Sequence, residues 1–277
     1  MTLELLRLRL SSKAFHFAPF FILGDPTPGV SLRLAREAVE AGASLLEVGI
    51  PFSDPVADGP SLQAASVRAR RCGATVEACF ALLSEMAKTT RCPIHVLVYS
   101  NLLHRCGSTR FLSRLAEAGA SSVMVPDLPS ERFPDLVRIA GEHGLGAVPL
   151  VGPLTASARV QELSRSAAFV YLTAVQGTTG ARSALSSEVG ALVRRCVAVS
   201  AAPVCVGFGL STGEHLRAVA RAGARIAVVG SALADRISEG LDEHGLPRDE
   251  QVLVDRVKEM CAELASSADH ATRGARA

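Results

Sequence analysis

The chain has 277 residues, 48% of them hydrophobic, with no tryptophan and a formal net charge of +2. That length suffices for one large core, and barrels of this size are usually a single domain. The near-neutral balance, with no basic cluster beyond a pair such as Arg70-Arg71, argues against nucleic acid or an anionic membrane as partner.

Taken in order, residues 1–13 read as a short amphipathic helix. The run FHFAPFFIL (15–23) follows several cations, yet it has no small-residue cleavage site and turns at once at Gly24-Asp25-Pro26. It therefore reads as a first core strand, about 17–23, and not as a signal peptide. A helix is expected over 31–41, with Ser31 as its N-cap, and a second strand over 44–50. Helical patterning occupies 61–71 and 75–88, and PIHVLVY (93–99) is a third strand. A helix over 110–118, a strand over 121–125 and a helix near 131–143 follow. Strand five is 145–151, strand six 168–173 and strand seven 203–206, with helices over 156–165 and 187–199. A Gly/Thr/Ser loop covers 174–186. After a helix from about 212 comes strand eight, 225–229, and one or two closing helices over 231–264. The polar end, 267–277, is expected to be a disordered tail behind a domain spanning 1–266. No apolar run is long enough to cross a bilayer. The seven cysteines are odd in number and form no CxxC pair, as expected for reduced buried thiols in a cytoplasmic protein.

EAGASLLEVG (40–49), EAGASSVMVP (117–126) and RAGARIAVVG (221–230) share one plan. In each a helix ends, a glycine sits where a left-handed cap is wanted, and a buried strand follows. Eight near-continuous apolar strands alternating with helices imply a parallel sheet wrapped by helices. The count favours an α/β single (β/α)8 TIM barrel with an extra N-terminal helix over an open doubly wound sheet. Gly207-Phe208-Gly209 lacks the spacing of a dinucleotide-binding motif.

Function in such a barrel sits at the C-terminal ends of the strands. There LLEVGIPFSDPVADGP (45–60) places a lone acid, Glu47, inside a strand and two more, Asp54 and Asp58, on the loop behind it. A buried acid is costly unless something needs it. The pattern fits a site where protons move, and equally a satisfied core carboxylate beside turn-capping aspartates. Asp127 follows strand four, Tyr171 lies in strand six, and Thr179-Gly180 lie in the loop beyond. Gly207-Phe208-Gly209 and Gly230-Ser231, ending strands seven and eight, offer backbone N–H donors and a helix N-terminus to a phosphate.

The stretch 45–60 resembles the signature of the tryptophan synthase alpha chain family, and FILGDP, VYSNL, VPDLP, YLTAVQGTTG, VGFGL and VVGSAL follow the same family in the right order. The resemblance implies a lyase that cleaves indole-3-glycerol phosphate, without metal or organic cofactor, alone or beside a beta chain. By it, Glu47 and Asp58 match the acid–base pair, and Tyr171 the active-site tyrosine. Gly180, Phe208, Gly209, Gly230 and Ser231 match the phosphate cradle. Phe20, Leu97, Tyr99 and Asp127 match pocket or loop-organising positions, and Thr179 the threonine of a loop that closes over substrate.

Ile22 stands where that family usually has threonine, Val175-Gln176-Gly177-Thr178 departs from its sixth loop, and Ser100 lies in a changed stretch after strand three. None removes a proposed catalytic group. They bear on loop closure and on the partner surface, and so leave three readings: an alpha subunit, a stand-alone lyase releasing indole, and a weakly active barrel that modulates a partner.

Overall fold

The computed structural model describes residues 2–12, 14–173, 187–207 and 209–274, along which helices alternate with short strands. α1 (Thr2–Ser11) precedes β1 (His16–Ile22), α2 (Pro28–Glu40) and β2 (Leu46–Gly49). α3 (Pro60–Arg71) and α4 (Val76–Thr90) lead to β3 (Ile94–Leu97), α5 (Ser100–Cys106) and α6 (Ser108–Glu117). β4 (Ser122–Met124), α7 (Phe133–Glu142), β5 (Gly146–Val148) and β6 (Leu150–Val151) follow. The rest is α8 (Ser157–Ser164), β7 (Val170–Thr173), α9 (Ser187–Val199), β8 (Val204–Gly207), α10 (Gly213–Arg221), β9 (Ile226–Val229), α11 (Ser231–Glu239) and α12 (Glu250–Gly274).

All strand pairs are parallel, in the order β5-β4-β3-β2-β1-β9-β8-β7-β6. β5 and β6 are one run of chain divided at Pro149, which has no N–H to give to a ladder. Its first half bonds to β4 and its second to β7. The seam is bridged by Ala168 N–H to the Ala147 carbonyl (2.9 Å) and Tyr171 N–H to the Pro149 carbonyl (3.0 Å). The nine segments are thus the eight strands of a nearly closed (β/α)8 barrel, as expected.

Period-two alternation sorts the side chains. Val48, Ile94, Val96 and Val206 pack outward beneath the helices. Phe20, Leu97, Tyr171 and Val228 fill the interior, and Leu6 and Leu10 of α1 close it from the N-terminal end. Gly42, Gly119 and Gly223, the shared glycines of the three repeats, have φ of +106°, +96° and +101°, the left-handed cap their position predicted.

One local expectation is corrected. The N-cap of α2 is Thr27, whose side chain accepts from Val30 N–H, with Pro28 preorganised at the first turn. Ser31 is buried one turn in, where its hydroxyl accepts from Gly24 N–H (3.1 Å). Between the third strand and the helix expected over 110–118 lies one more short helix, α5. The helix α12 runs from Glu250 to Gly274, with Cys261, Leu264, Ala265 and Ala268 in a buried stripe and Ser267 accepting from Arg217 (3.1 Å). No helix among the described residues is long and apolar enough to cross a membrane.

Candidate active site

β2 turns Leu46 and Val48 to the helix layer and Glu47 to the interior, in register with Phe20 on β1 and His95 on β3. Gly49, two residues on, leaves room for the side chains of β1: a β-carbon there would meet Ile22 Cδ1 at 2.9 Å and Phe20 Cζ at 3.0 Å. Glu47 is 1% exposed. Burial pushes its pKa up to about 8; the Tyr171 hydroxyl opposes this rise and the charge of Asp58 adds to it.

Asp58 is held on the β2–α3 loop by its own N–H to the Pro55 carbonyl (2.9 Å) and by the Gln63 amide on its carbonyl (2.9 Å). Burial pushes its pKa up to about 6, against a hydrogen bond from Tyr99. Its Oδ1 is buried with no hydrogen-bond partner among the described residues. A buried acceptor left open is costly, so this atom suits a donor on a bound molecule.

Tyr171 reaches inward from β7 and donates its hydroxyl to Glu47 Oε1 at 3.3 Å. The ring has room only because residue 207 is glycine: a β-carbon there would overlap the Tyr171 hydroxyl. Gly207→Ala should therefore displace the phenol and lower turnover by about tenfold or more, since small misplacements at a reacting centre are expensive. Steady-state kinetics on the folded variant checks this; unchanged turnover would show that Tyr171 is not used.

Phe20, Glu47, Asp58, Leu97, Tyr171, Gly209, Gly230 and Ser231 line one cavity, joined by Leu62, Leu210 and Val228. Leu62 and Leu210 carried no distinguishing signal in the sequence. Val228 could have been found as the inward neighbour, two residues back, of Gly230. Gly209 adopts φ +78°, and Gly230 is the N-cap of α11, where a β-carbon would meet Phe20 Cδ1 at 2.7 Å.

Tyr99 and Asp127 stand one layer behind that cavity. Tyr99 is fully buried, stacks on Phe52 (5.3 Å, 21°) and accepts Ala57 N–H at its hydroxyl (3.2 Å), steadying the loop that carries Asp58. Asp127 accepts from Ser100 N–H (2.8 Å) and Ser100 Oγ (2.7 Å) at the start of α5. Thr179, Gly180 and Phe208, and the loop expected to close over substrate, lie outside the described residues. Larger hollows lie between α5 and α7 and beside α1, and neither brings two buried carboxyl groups together. Among the described residues no group of three or more His, Cys, Asp or Glu could hold a metal ion.

Fold and site together define a (β/α)8 barrel with a paired-carboxyl site at the C-terminal ends of its strands. The chain belongs to the tryptophan synthase alpha chain family, whose model matches residues 7–269. The tryptophan synthase alpha chain of Methanothermobacter thermautotrophicus is 43% identical over 249 residues, 90% of each chain. That of Edwardsiella ictaluri is 40% identical over 226 residues, 81% of this chain and 84% of the relative. A structure of the tryptophan synthase α2β2 complex from Pyrococcus furiosus matches with a TM-score of 0.82 at 31% identity, covering 91% of this chain and 98% of that one.

Proposed function

We propose that the chain is a carbon–carbon lyase that cleaves indole-3-glycerol phosphate to indole and glyceraldehyde 3-phosphate, as the alpha subunit of a tryptophan synthase. The observation that supports this most is Glu47: a buried carboxyl that keeps its proton to about pH 8, touched by Tyr171 and close enough to Asp58 to feel its charge.

The bond to be broken joins C3 of the indole ring to C3′ of the glycerol chain. C3 must first become tetrahedral, and Glu47 delivers the proton that makes it so. Positive charge then builds on the ring nitrogen, whose N–H the open Oδ1 of Asp58 accepts. The bond electrons return to the ring and the C3′ hydroxyl becomes the aldehyde. Its proton goes back to Glu47, with Tyr171 alongside, so the acid is regenerated. Glu47 must start protonated and Asp58 ionised, which confines activity to a window whose limbs lie near pH 6 and pH 8. Phe20 and Leu97 pack the indole, and Gly209, Gly230 and Ser231 offer N–H donors to the phosphate, with Gly180 and Phe208 assigned there on the family motif alone.

The purified chain should release indole and triose phosphate in equal amounts from indole-3-glycerol phosphate; no release would end this reading. The dephosphorylated compound should be cleaved roughly a hundredfold less efficiently, since remote binding energy is spent at the reacting centre. Equal cleavage of both would move the phosphate site elsewhere. The α2β2 relative favours a beta chain as partner, so adding one should raise indole release. No change on addition would favour the stand-alone lyase. Among the described residues the seven cysteines are free thiols, in keeping with the cytoplasmic location we propose.

A further inference from the structure

We propose that His95 is a positioning residue: anchored by Ser122, its ring holds Tyr171 where the phenol meets Glu47. The inference rests on the reaction proposed above.

β3 turns Ile94 and Val96 outward and His95 inward, beside Glu47 in the β2–β3 register. His95 is 3% exposed. Its Nδ1 lies 2.9 Å from Ser122 Oγ on β4, which fixes the ring plane. One side of the ring faces Tyr171 (centroids 6.3 Å, planes 30° apart), and Phe169 packs against it edge-on (5.0 Å, 67°). The phenol thus runs over the imidazole before its hydroxyl reaches Glu47.

Filling space alone would be done better by an apolar residue. His95 Nε2 is buried with no hydrogen-bond partner among the described residues, a cost that a leucine or phenylalanine would not carry. Nothing in the mechanism above uses this ring directly. Burial also pushes its pKa down to about 3, so it places no cation beside Glu47. The other groups acting on Glu47 are Tyr171 from β7 and Asp58 from the β2–α3 loop, and the buried thiol of Cys205 on β8 feels Glu47 in turn.

His95→Leu keeps the bulk but removes the Ser122 anchor and the aromatic face. It should lower kcat by roughly tenfold while KM moves by less than about twofold. The alkaline limb of the kcat profile should move to higher pH, because a displaced Tyr171 no longer opposes the rise in Glu47 proton affinity. The double variant with Tyr171→Phe should be no slower than Tyr171→Phe alone, as expected for residues acting in series. His95→Phe, which restores the aromatic face, should recover part of the loss. Ser122→Ala, which leaves the ring itself in place, should shift kcat and limb in the same direction by less, and it carries the test if His95→Leu does not fold. Wild type and Glu47→Gln run in parallel. A wild type without indole release overturns the reaction and this inference together. An active wild type with a dead Glu47→Gln, and His95 variants with unmoved kcat and limb or losses additive with Tyr171→Phe, overturns this inference alone.

Discussion

Glu47→Gln should fold and bind substrate yet lose indole release by about 10²–10⁴-fold, the usual cost of removing one acid–base group. Gln fills the same volume and can still accept from the Tyr171 hydroxyl, but it has no proton to give to C3. The same variant carries a stability signature of opposite sign. In the folded chain Glu47 holds its proton to about pH 8, well above its ordinary value of 4.5. Its contribution to stability is fully present below pH 4.5 and is lost as pH rises to about 8, since over that span the unfolded chain releases the proton first. The neutral Gln has no such loss. Its melting temperature should match that of wild type in acid and exceed it by several degrees above pH 8, measured by calorimetry. A Gln variant that keeps more than about a tenth of wild-type turnover would remove Glu47 from the chemistry.

Asp58→Asn should also lower kcat by about 10²–10⁴-fold while KM changes little, because the charge on Asp58 counts most when the ring nitrogen is positive. Two changes in the pH profile of the residual activity accompany the loss. The acid limb near pH 6 should vanish with the group that titrates there. The alkaline limb should move to lower pH, because the charge of Asp58 is one of the causes that hold the Glu47 proton in place. A variant with a raised KM and an unchanged kcat would make Asp58 a binding residue only.

Much of the barrel was legible because its strands are apolar runs bounded by helix-ending glycines, a pattern that local physics imposes without reference to distant chain. Glu47 was legible for the same reason reversed: it is the one charge in an otherwise apolar strand. What escaped depends on contacts across the barrel. The division of strand five at Pro149 follows from the two different neighbours its halves bond. Gly207 was read with Phe208 and Gly209 as a source of backbone N–H donors, and only the Tyr171 ring explains why it must lack a side chain. Tyr99 matched a pocket or loop-organising position, and which of the two applies depends on the hydrogen bond its hydroxyl accepts from Ala57 N–H on the Asp58 loop. His95 did carry a signal, as the histidine at an inward position of PIHVLVY, but its meaning lies in Ser122 and Tyr171, far away in sequence. The start of α2 was misplaced because Thr27 and Ser31 are both competent caps, and Pro28 decides between them.

The central claim is that a buried carboxylic acid at position 47 keeps its proton through neutrality. Carboxyl-carbon NMR on protein labelled at glutamate tests this directly, with the resonance assigned by its absence in Glu47→Gln. The account predicts a midpoint near pH 8 for that one resonance. A midpoint near 4.5, the ordinary value for glutamate, would contradict it.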